Sequence, residues 1–125
     1  MVVRNELSDE QIDRVFQALA ASTRRDILRR TIAQEQSVSE LARDYDMSFA
    51  AVQKHVAVLE AAELIIKRAE GRERLVRANP EMIARARALL SRYEDLWRSR
   101  ISRLDDLLAE DAPDSRSAPR GSSTP

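Results

Sequence analysis

The sequence lacks several features that mark common classes of protein. It contains no cysteine, which excludes disulfide bonds and thiolate chemistry and agrees with a reducing compartment. It contains one histidine, His55, and no glycine-rich phosphate loop, so it offers neither a serine–histidine–aspartate set nor a nucleotide-binding loop. The carboxylates of Asp105 and Asp106 are adjacent, so on a helix they point to different sides and cannot act as an acid–base pair. We therefore predict that the chain is not an enzyme.

Long apolar runs are also missing. No run approaches the roughly 20 residues that a helix needs to cross a bilayer. The opening segment MVVRNELSDE lacks the apolar core of a secretory signal. A chain of 125 residues has the size of one domain. We expect a cytoplasmic protein with no membrane partner.

Charge is balanced overall but unevenly distributed. The chain carries 21 basic and 21 acidic residues, whereas proteins that bind nucleic acid non-specifically are usually strongly basic. Residues 24–30 nevertheless hold four arginines against Asp26 alone, and residues 67–77 hold five cations against Glu70 and Glu73. Two positive segments on a neutral molecule can attract phosphate while limiting non-specific binding.

Serine residues predict where the first four helices begin. A serine oxygen can accept a hydrogen bond from a free amide of the first helical turn, and a Glu or Gln three residues later completes a capping box. The predicted caps are Ser8 with Gln11, Ser22, Ser37 with Glu40, and Ser48. The apolar residues at helical spacing behind the first three caps are Ile12, Val15, Phe16 and Leu19; Ile27, Leu28 and Ile32; and Leu41, Ala42 and Tyr45.

A hairpin and a long helix are predicted after these four helices. Two runs of β-forming residues flank a predicted turn at Ala69–Arg72, which contains Gly71. Asn79 is predicted to cap a helix that has Pro80 at its first position and runs from Glu81 to Ala109. From residue 111 the composition turns to serine, proline, aspartate and arginine without apolar periodicity. We therefore predict one domain over 1–110 and a disordered tail over 111–125.

The order of these elements predicts a mainly α fold with a β-hairpin wing, that is, a winged helix-turn-helix. The fourth helix would direct Val52, Val56 and Leu59 inward. Its outer face would then consist of Ala50, Gln53, Lys54 and Ala57. The alanines keep this face thin, so the helix can approach base edges in the major groove of double-stranded DNA.

The candidate DNA-binding residues divide into base contacts and backbone contacts. The predicted base contacts are Ala50, Gln53 and Lys54, with Phe49 at the edge, because an amide can pair with adenine and an ammonium can reach guanine or phosphate. The predicted backbone contacts are Ser48, Arg24, Arg25, Arg68, Arg72 and Arg74.

Each of these features also has a plainer interpretation. The alanines could be ordinary helix formers, and the arginine-rich hairpin could be a solvated surface. Arg24 and Arg25 oppose the dipole of their own helix, which suggests either phosphate contact or a surface salt bridge. His55 is predicted to pack and form a hydrogen bond rather than to contact bases or bind a metal.

An apolar stripe on the last helix predicts self-association. So small a domain cannot bury both ends of a helix of this length, and an exposed stripe of large apolar side chains favours a partner. The residues of the stripe are Leu90, Tyr93, Trp97, Ile101, Leu104 and Leu108. The alternative is that the last helix folds back onto the first.

Four segments resemble the ArsR family of bacterial winged-helix repressors. They are FQALAASTRRDIL (16–28), SVSELARDYDMSFAAVQKHVAVLEAAELI (37–65), KRAEGRERLVRANP (67–80) and LLSRYEDLWRSRISRLDDLL (89–108), the last of which is similar to the metal-independent, SdpR-like branch. The resemblance implies a homodimer formed by the first and last helices, so that Ile12 and Phe16 join the stripe. It also implies a pseudo-palindromic operator whose occupation blocks transcription. Phe49, Gln53 and the pair Ala62-Glu63, where the family usually has a helix-ending glycine, depart from the family pattern.

The resemblance also bears on cofactors. Metal-sensing members use a cysteine pair near the third helix, or histidine and carboxylate ligands on the last helix. This chain has no cysteine, and its histidine lies in the fourth helix. We predict no metal or other cofactor, and the sequence does not identify a small-molecule effector. The alternative function is a winged-helix protein–protein interaction module or an antitoxin-like partner, which the thin helix face and the arginine-tipped hairpin fit less well.

Overall fold

Five helices and three short strands make up the part of the chain that the computed structural model describes, residues 6–111. The elements in chain order are α1 Asp9–Ala18, α2 Ser22–Ala33, β1 Gln36–Ser37, α3 Val38–Arg43, α4 Phe49–Ala61, β2 Ile65–Glu70, β3 Glu73–Ala78 and α5 Pro80–Asp111. The predicted tail over 111–125 lies outside the described residues except for Asp111, which ends α5. None of the described helices is long and apolar enough to span a membrane.

Three of the four predicted serine caps are confirmed. Ser8 with Gln11 and Ser37 with Glu40 form reciprocal capping boxes, in which the side chain of each residue bonds the backbone amide of the other. The Ser48 hydroxyl accepts the amide hydrogen of Ala51 at 3.1 Å. The prediction for Ser22 is wrong, because Ser22 is the first helical residue and the extended residue before it, Ala21, forms no side-chain cap.

A core of apolar side chains joins the four helices α1, α2, α3 and α4 to the sheet and to the start of α5. Val52, Val56 and Leu59 of α4 are buried, as their spacing predicted. The prediction for Ile32 is wrong, since its side chain is 58% exposed. The inward face of α2 instead carries Ile27 and Thr31, whose hydroxyl donates back to the Ile27 carbonyl at 3.0 Å and is thereby satisfied inside the core.

The sheet has the strand order β1-β3-β2 and is antiparallel throughout. The predicted hairpin is confirmed, but its strands run further than predicted. Glu70 pairs with Glu73, so only Gly71 and Arg72 form the connection. Gly71 has a φ of +63°, the left-handed region that a tight two-residue hairpin turn requires. The two-residue strand β1 was not predicted, because its extended conformation depends on pairing with β3.

Helix α4 ends in a Schellman motif without a glycine. The amide of Leu64 donates to the Leu59 carbonyl at 3.1 Å, and the amide of Glu63 donates to the Glu60 carbonyl at 2.8 Å. Glu63 has a φ of +63°, so a residue with a Cβ occupies the left-handed position that glycine usually fills. The side-chain amide of Asn79 donates to the Glu63 carbonyl at 2.9 Å, which ties this turn to the start of α5.

The part of α5 from Leu90 onward belongs to a second unit. Helix α5 is continuous from Pro80 to Asp111, close to its predicted range. Within the second unit, each described side chain from Arg92 to Glu110 is exposed.

We expect Glu63→Gly to stabilise the protein. A left-handed conformation costs a residue with a Cβ about 1–2 kcal/mol, and the greater freedom of glycine in the unfolded chain offsets part of that gain. The net increase in the free energy of unfolding should be about 0.5–1 kcal/mol, measured by urea titration. Glu63→Ala removes the same carboxylate but keeps the Cβ, so an equal gain in the alanine variant would contradict this explanation.

Candidate nucleic-acid interface

A short turn joins α3 to α4 and sets the direction of α4. Helix α3 ends at Arg43, and Ser48 caps α4 after the four residues 44–47. None of these four residues has a positive φ, so the turn does not use the left-handed conformation considered for Asp46. The first turn of α4 leaves Ser48, Phe49 and Ala50 exposed, with Phe49 at 48%.

The outer face of α4 is accessible along its length. Ala50, Gln53, Lys54 and Ala57 are exposed, while Val52, Val56 and Leu59 on the other side are buried in the core. The helix is therefore anchored by one face and presents two alanines, an amide and an ammonium on the other. The contact of this face with bases stays a prediction.

The arginines of the hairpin differ in how they are engaged. Arg68 donates through Nε and Nη2 to the carboxylate of Glu35 at 3.1 and 3.0 Å, and its Nη1 lies 3.2 Å from a Glu70 oxygen. The hydrogen bond to Glu35 raises the pKa of Arg68. Arg72 and Arg74 are exposed and form no ion pair or hydrogen bond within residues 6–111. Arg68 is thus paired with carboxylates of its own chain, whereas Arg72 and Arg74 are available, and phosphate contact by each of the three stays a prediction.

Pairing in the sheet separates these arginines onto two faces. Arg74 shares a face with Val76 and with the cross-strand neighbour of Val76, Lys67, because side chains alternate along a strand and register partners point the same way. The Lys67 ammonium lies 3.4 Å from a Glu60 oxygen of α4. Arg74 therefore lies on the α4 side of the sheet, and Arg68 lies on the opposite side.

Arg24 and Arg25 bind the carboxyl end of α1. Arg24 donates to the carbonyls of Ala18 and Gln17, both at 2.8 Å, and Arg25 donates to the Leu19 carbonyl at 2.7 Å. Helix α1 has no basic residue in its own last turn, so these two cations complement its dipole and satisfy its free carbonyls. This accounts for two arginines that oppose the dipole of their own helix. These hydrogen bonds give Arg24 a structural role, and its predicted phosphate contact stays a prediction.

His55 of α4 contacts the guanidinium group of Arg24. Its Nδ1 lies 3.1 Å from Nη1 of Arg24. Because a guanidinium only donates, Nδ1 must accept, so the ring is neutral with its proton on Nε2. Burial and the Arg24 charge hold the pKa of His55 below its ordinary value of 6.5. This arrangement agrees with the packing and hydrogen-bonding role predicted for His55.

Between residues 6 and 111, no three His, Asp or Glu side chains come together as a metal site would require.

A polar cluster that the sequence analysis missed supports the turn between α3 and α4. The Tyr45 hydroxyl donates to the Asp26 carboxylate at 2.5 Å, and Arg29 also pairs with Asp26. The hydrogen bond from Tyr45, followed by that from Arg29, lowers the pKa of Asp26. Arg30 lies over the Tyr45 ring at 5.5 Å and pairs with Asp44 at 2.8 Å. The signal in the sequence was the single acid, Asp26, among four arginines.

The candidate dimer residues differ in exposure. Ile12 packs against the core of its own chain, whereas Phe16 is 48% exposed. The six predicted residues of α5 are between 40% and 60% exposed. Their spacing of three or four residues follows the helical period, so they share one face. The exposed large apolar residues of α5 are Leu90, Tyr93, Leu96, Trp97, Ile101, Leu104, Leu107 and Leu108.

Comparisons with known proteins identify relatives of this site and fold. A family model described as a helix-turn-helix domain matches residues 19–68. The HTH-type transcriptional regulator Rv2034 of Mycobacterium tuberculosis is 41% identical over 81 residues, which are 65% of this chain and 76% of that protein. The crystal structure of an ArsR family transcriptional regulator is 35% identical with a TM-score of 0.70, covering 75% of this chain and 97% of that one. The solution structure of the homodimeric winged helix-turn-helix DNA-binding domain of Mb0332 from Mycobacterium bovis is 28% identical with a TM-score of 0.56, covering 71% and 88%.

We expect the protein to lose stability in mild acid through His55. Because the pKa of His55 is lower in the folded chain, the unfolded chain binds more protons as the pH falls. The contribution of the neutral His55 ring to the free energy of unfolding is complete above about pH 6.5. It is lost as the pH falls through the pKa of His55 in the folded chain. In urea titrations, the free energy of unfolding should drop as the pH is lowered below about 6.5. In His55→Gln, a carbonyl can accept from Arg24 without titrating, so this drop should be smaller. Equal drops in the two proteins would contradict the assignment.

Proposed function

The chain belongs to the ArsR family of winged helix-turn-helix transcriptional regulators, and we propose that it acts as a homodimeric repressor that binds a pseudo-palindromic operator. As a member of this family it is a DNA-binding transcriptional regulator and not an enzyme. The observation that carries the finer proposal is the outer face of α4, which is thin and exposed opposite a buried anchor. A helix held in this way can enter the major groove without disturbing the core.

Base recognition is proposed for the exposed residues of α4. The Gln53 amide can offer a donor and an acceptor to adenine, and the Lys54 ammonium can reach guanine or a phosphate. Ala50 permits close approach, and the ring of Phe49 at the helix start can contact a thymine methyl group.

Backbone contacts are proposed for a smaller set than the sequence analysis named. Ser48 lies at the amino end of α4, where free amides favour phosphate. Arg72 and Arg74 supply free guanidinium groups on the hairpin, and Arg25 is exposed with only one of its donors engaged. Arg24 and Arg68 are left out because protein partners hold them.

Selection from a random pool of double-stranded DNA tests the function. We expect enrichment of an inverted repeat whose half-sites are about 34 Å apart, one helical turn, because a two-fold dimer presents two equivalent helices. Gln53→Ala should lose preference at about one base pair of each half-site, at a cost of about 1–3 kcal/mol. Failure to enrich any sequence, together with capture of a specific protein partner, would favour an interaction module instead.

The wing is tested by the salt dependence of DNA binding. Each phosphate contact contributes about 0.9 to the slope of log K against log salt concentration, so Arg72→Ala should flatten the slope by about one unit. Arg68→Ala is the matched control, since it removes the same charge from the same hairpin but at a side chain already paired with Glu35 and Glu70. Equal slopes for the two variants would show that Arg72 does not contact phosphate.

A homodimer is proposed from the exposed stripe of α5 and from the homodimeric relative of Mycobacterium bovis. Burying one large apolar side chain gains about 1.5–3 kcal/mol, so a stripe of six provides a strong drive to associate. Phe16 of α1 is proposed to join this interface.

The dimer is tested by light scattering at micromolar concentration. Trp97→Asp places a charge on the stripe and should yield a single-chain particle, whereas the wild-type protein should scatter as two chains. Ser99→Asp adds the same charge two residues further along α5, about 200° around the helix, and should leave the dimer intact. A wild-type monomer would refute the interface.

We also propose that the regulator works without a resident transition metal, as the SdpR-like branch of the family implies. The absence of cysteine from the sequence supports this, as does the Nδ1 atom of His55 being occupied by Arg24. A regulator of transcription acts where the chromosome is, so we propose a cytoplasmic location.

A further inference from the structure

A cavity of about 540 Å³ opens in the first unit, at a place that the proposed DNA contacts do not use. It lies where the carboxyl end of α2, the end of β3 and the first turns of α5 meet. Its apolar wall is formed by Ile32, Ala78, Pro80, Ile83 and Ala84, and the charged side chains around it are Glu35, Arg77 and Arg87. Sites for small molecules typically have about 300–1,000 Å³ and a mainly apolar lining with a few polar groups.

The apolar wall of the cavity includes Ile32, whose exposure the packing of the core does not explain. Ile32 is a large aliphatic residue on a helix, yet 58% of its side chain is exposed. It lies at the cavity together with Ile83, which packs partly against the core. An apolar molecule in the cavity would remove this surface from water, which is favourable in proportion to the apolar area buried.

The charges around the cavity favour an anion. Arg77 and Arg87 form no ion pair or hydrogen bond within the described residues 6–111, so both guanidinium groups are available. The one acid at the cavity, Glu35, is already held by two hydrogen bonds from Arg68. Counted over the described residues, the cavity therefore offers two free cations and one compensated carboxylate. Planar guanidinium groups match carboxylates in geometry as well as in charge.

We propose that this cavity binds an organic monocarboxylate with an apolar body, of the kind represented by medium-chain fatty acids. The carboxylate bonds to Arg77 and Arg87, and the alkyl chain lies against Ile32 and Ile83. Neither the DNA contacts nor the dimer is needed for this binding. The carboxylate site can therefore be tested independently of the proposed function.

Titration of the full-length protein with sodium octanoate tests the proposal, with isothermal calorimetry for affinity and NMR amide shifts for location. Octanol keeps the chain without the charge, and acetate keeps the charge without the chain. Charge-assisted hydrogen bonds contribute about 1.5–3 kcal/mol, so octanoate should bind at least about tenfold more tightly than octanol. Acetate should bind more weakly than both. The largest shifts with octanoate are expected at Ile83 and Ala84.

Variants locate the binding to this cavity. Arg77→Gln and Arg87→Gln should each weaken octanoate binding by about tenfold. Arg43→Gln, an exposed arginine of α3 away from the cavity, should leave it unchanged. Ala84→Trp fills the cavity from an exposed position and should abolish binding without affecting the melting temperature strongly.

Two results would overturn the proposal. The first is octanoate binding that equals octanol binding or survives Ala84→Trp, since the charge or the cavity would then be irrelevant. The second is an absence of octanoate binding combined with shifts of the Ile83 and Ala84 amides on dilution of the protein. That combination would mean that a second copy of the chain covers the cavity.

Discussion

Burial of one face of α4 is the constraint on which the other features depend. With Val52, Val56 and Leu59 fixed in the core, the rotation of the helix about its axis is settled, and Gln53 and Lys54 must point to solvent. Slippage by one residue would turn the helix by about 100° and bury an amide or an ammonium, which is costly without a partner. The exposed face of α4, for which base contact is proposed, is thus set by the face that packs in the core.

Arginine has several distinct roles in this molecule, and the partner decides which one applies. Arg24 and Arg25 bind carbonyl oxygens at the end of α1, and Arg30 stacks on Tyr45 beside the turn that precedes α4. Arg68 is held by two carboxylates. Arg72 and Arg74 of the hairpin, by contrast, form no ion pair or hydrogen bond within residues 6–111. A count of basic residues in a segment therefore overestimates its capacity to bind nucleic acid.

Local signals in the sequence predicted most of the helices and the hairpin, because capping boxes, apolar spacing and a glycine turn act within a few residues. Some misses depend on contacts between distant parts of the chain. The strand β1 exists through its pairing with β3, and the turn at Glu63 is tied by Asn79 to the start of α5. Ser22 is a local miss, because the residue in the cap position is Ala21. The side-chain partners of Arg24 and Arg68, which were not predicted, lie up to 33 residues away. The exposed face of α4 was predictable because it lies opposite the apolar residues Val52, Val56 and Leu59, whose spacing within one helix shows which face is buried.

Internal neutralisation of the cations has a consequence for how the protein searches the chromosome. Affinity for arbitrary DNA comes almost entirely from counterion release by uncompensated cations. In this chain several cations, Arg29, Arg30, Lys67 and Arg68 among them, face carboxylates of their own chain. Random sequence should then retain the protein only briefly, and the large excess of competing genomic sites would sequester few molecules. An operator would therefore be occupied at a smaller number of regulator molecules in the cell.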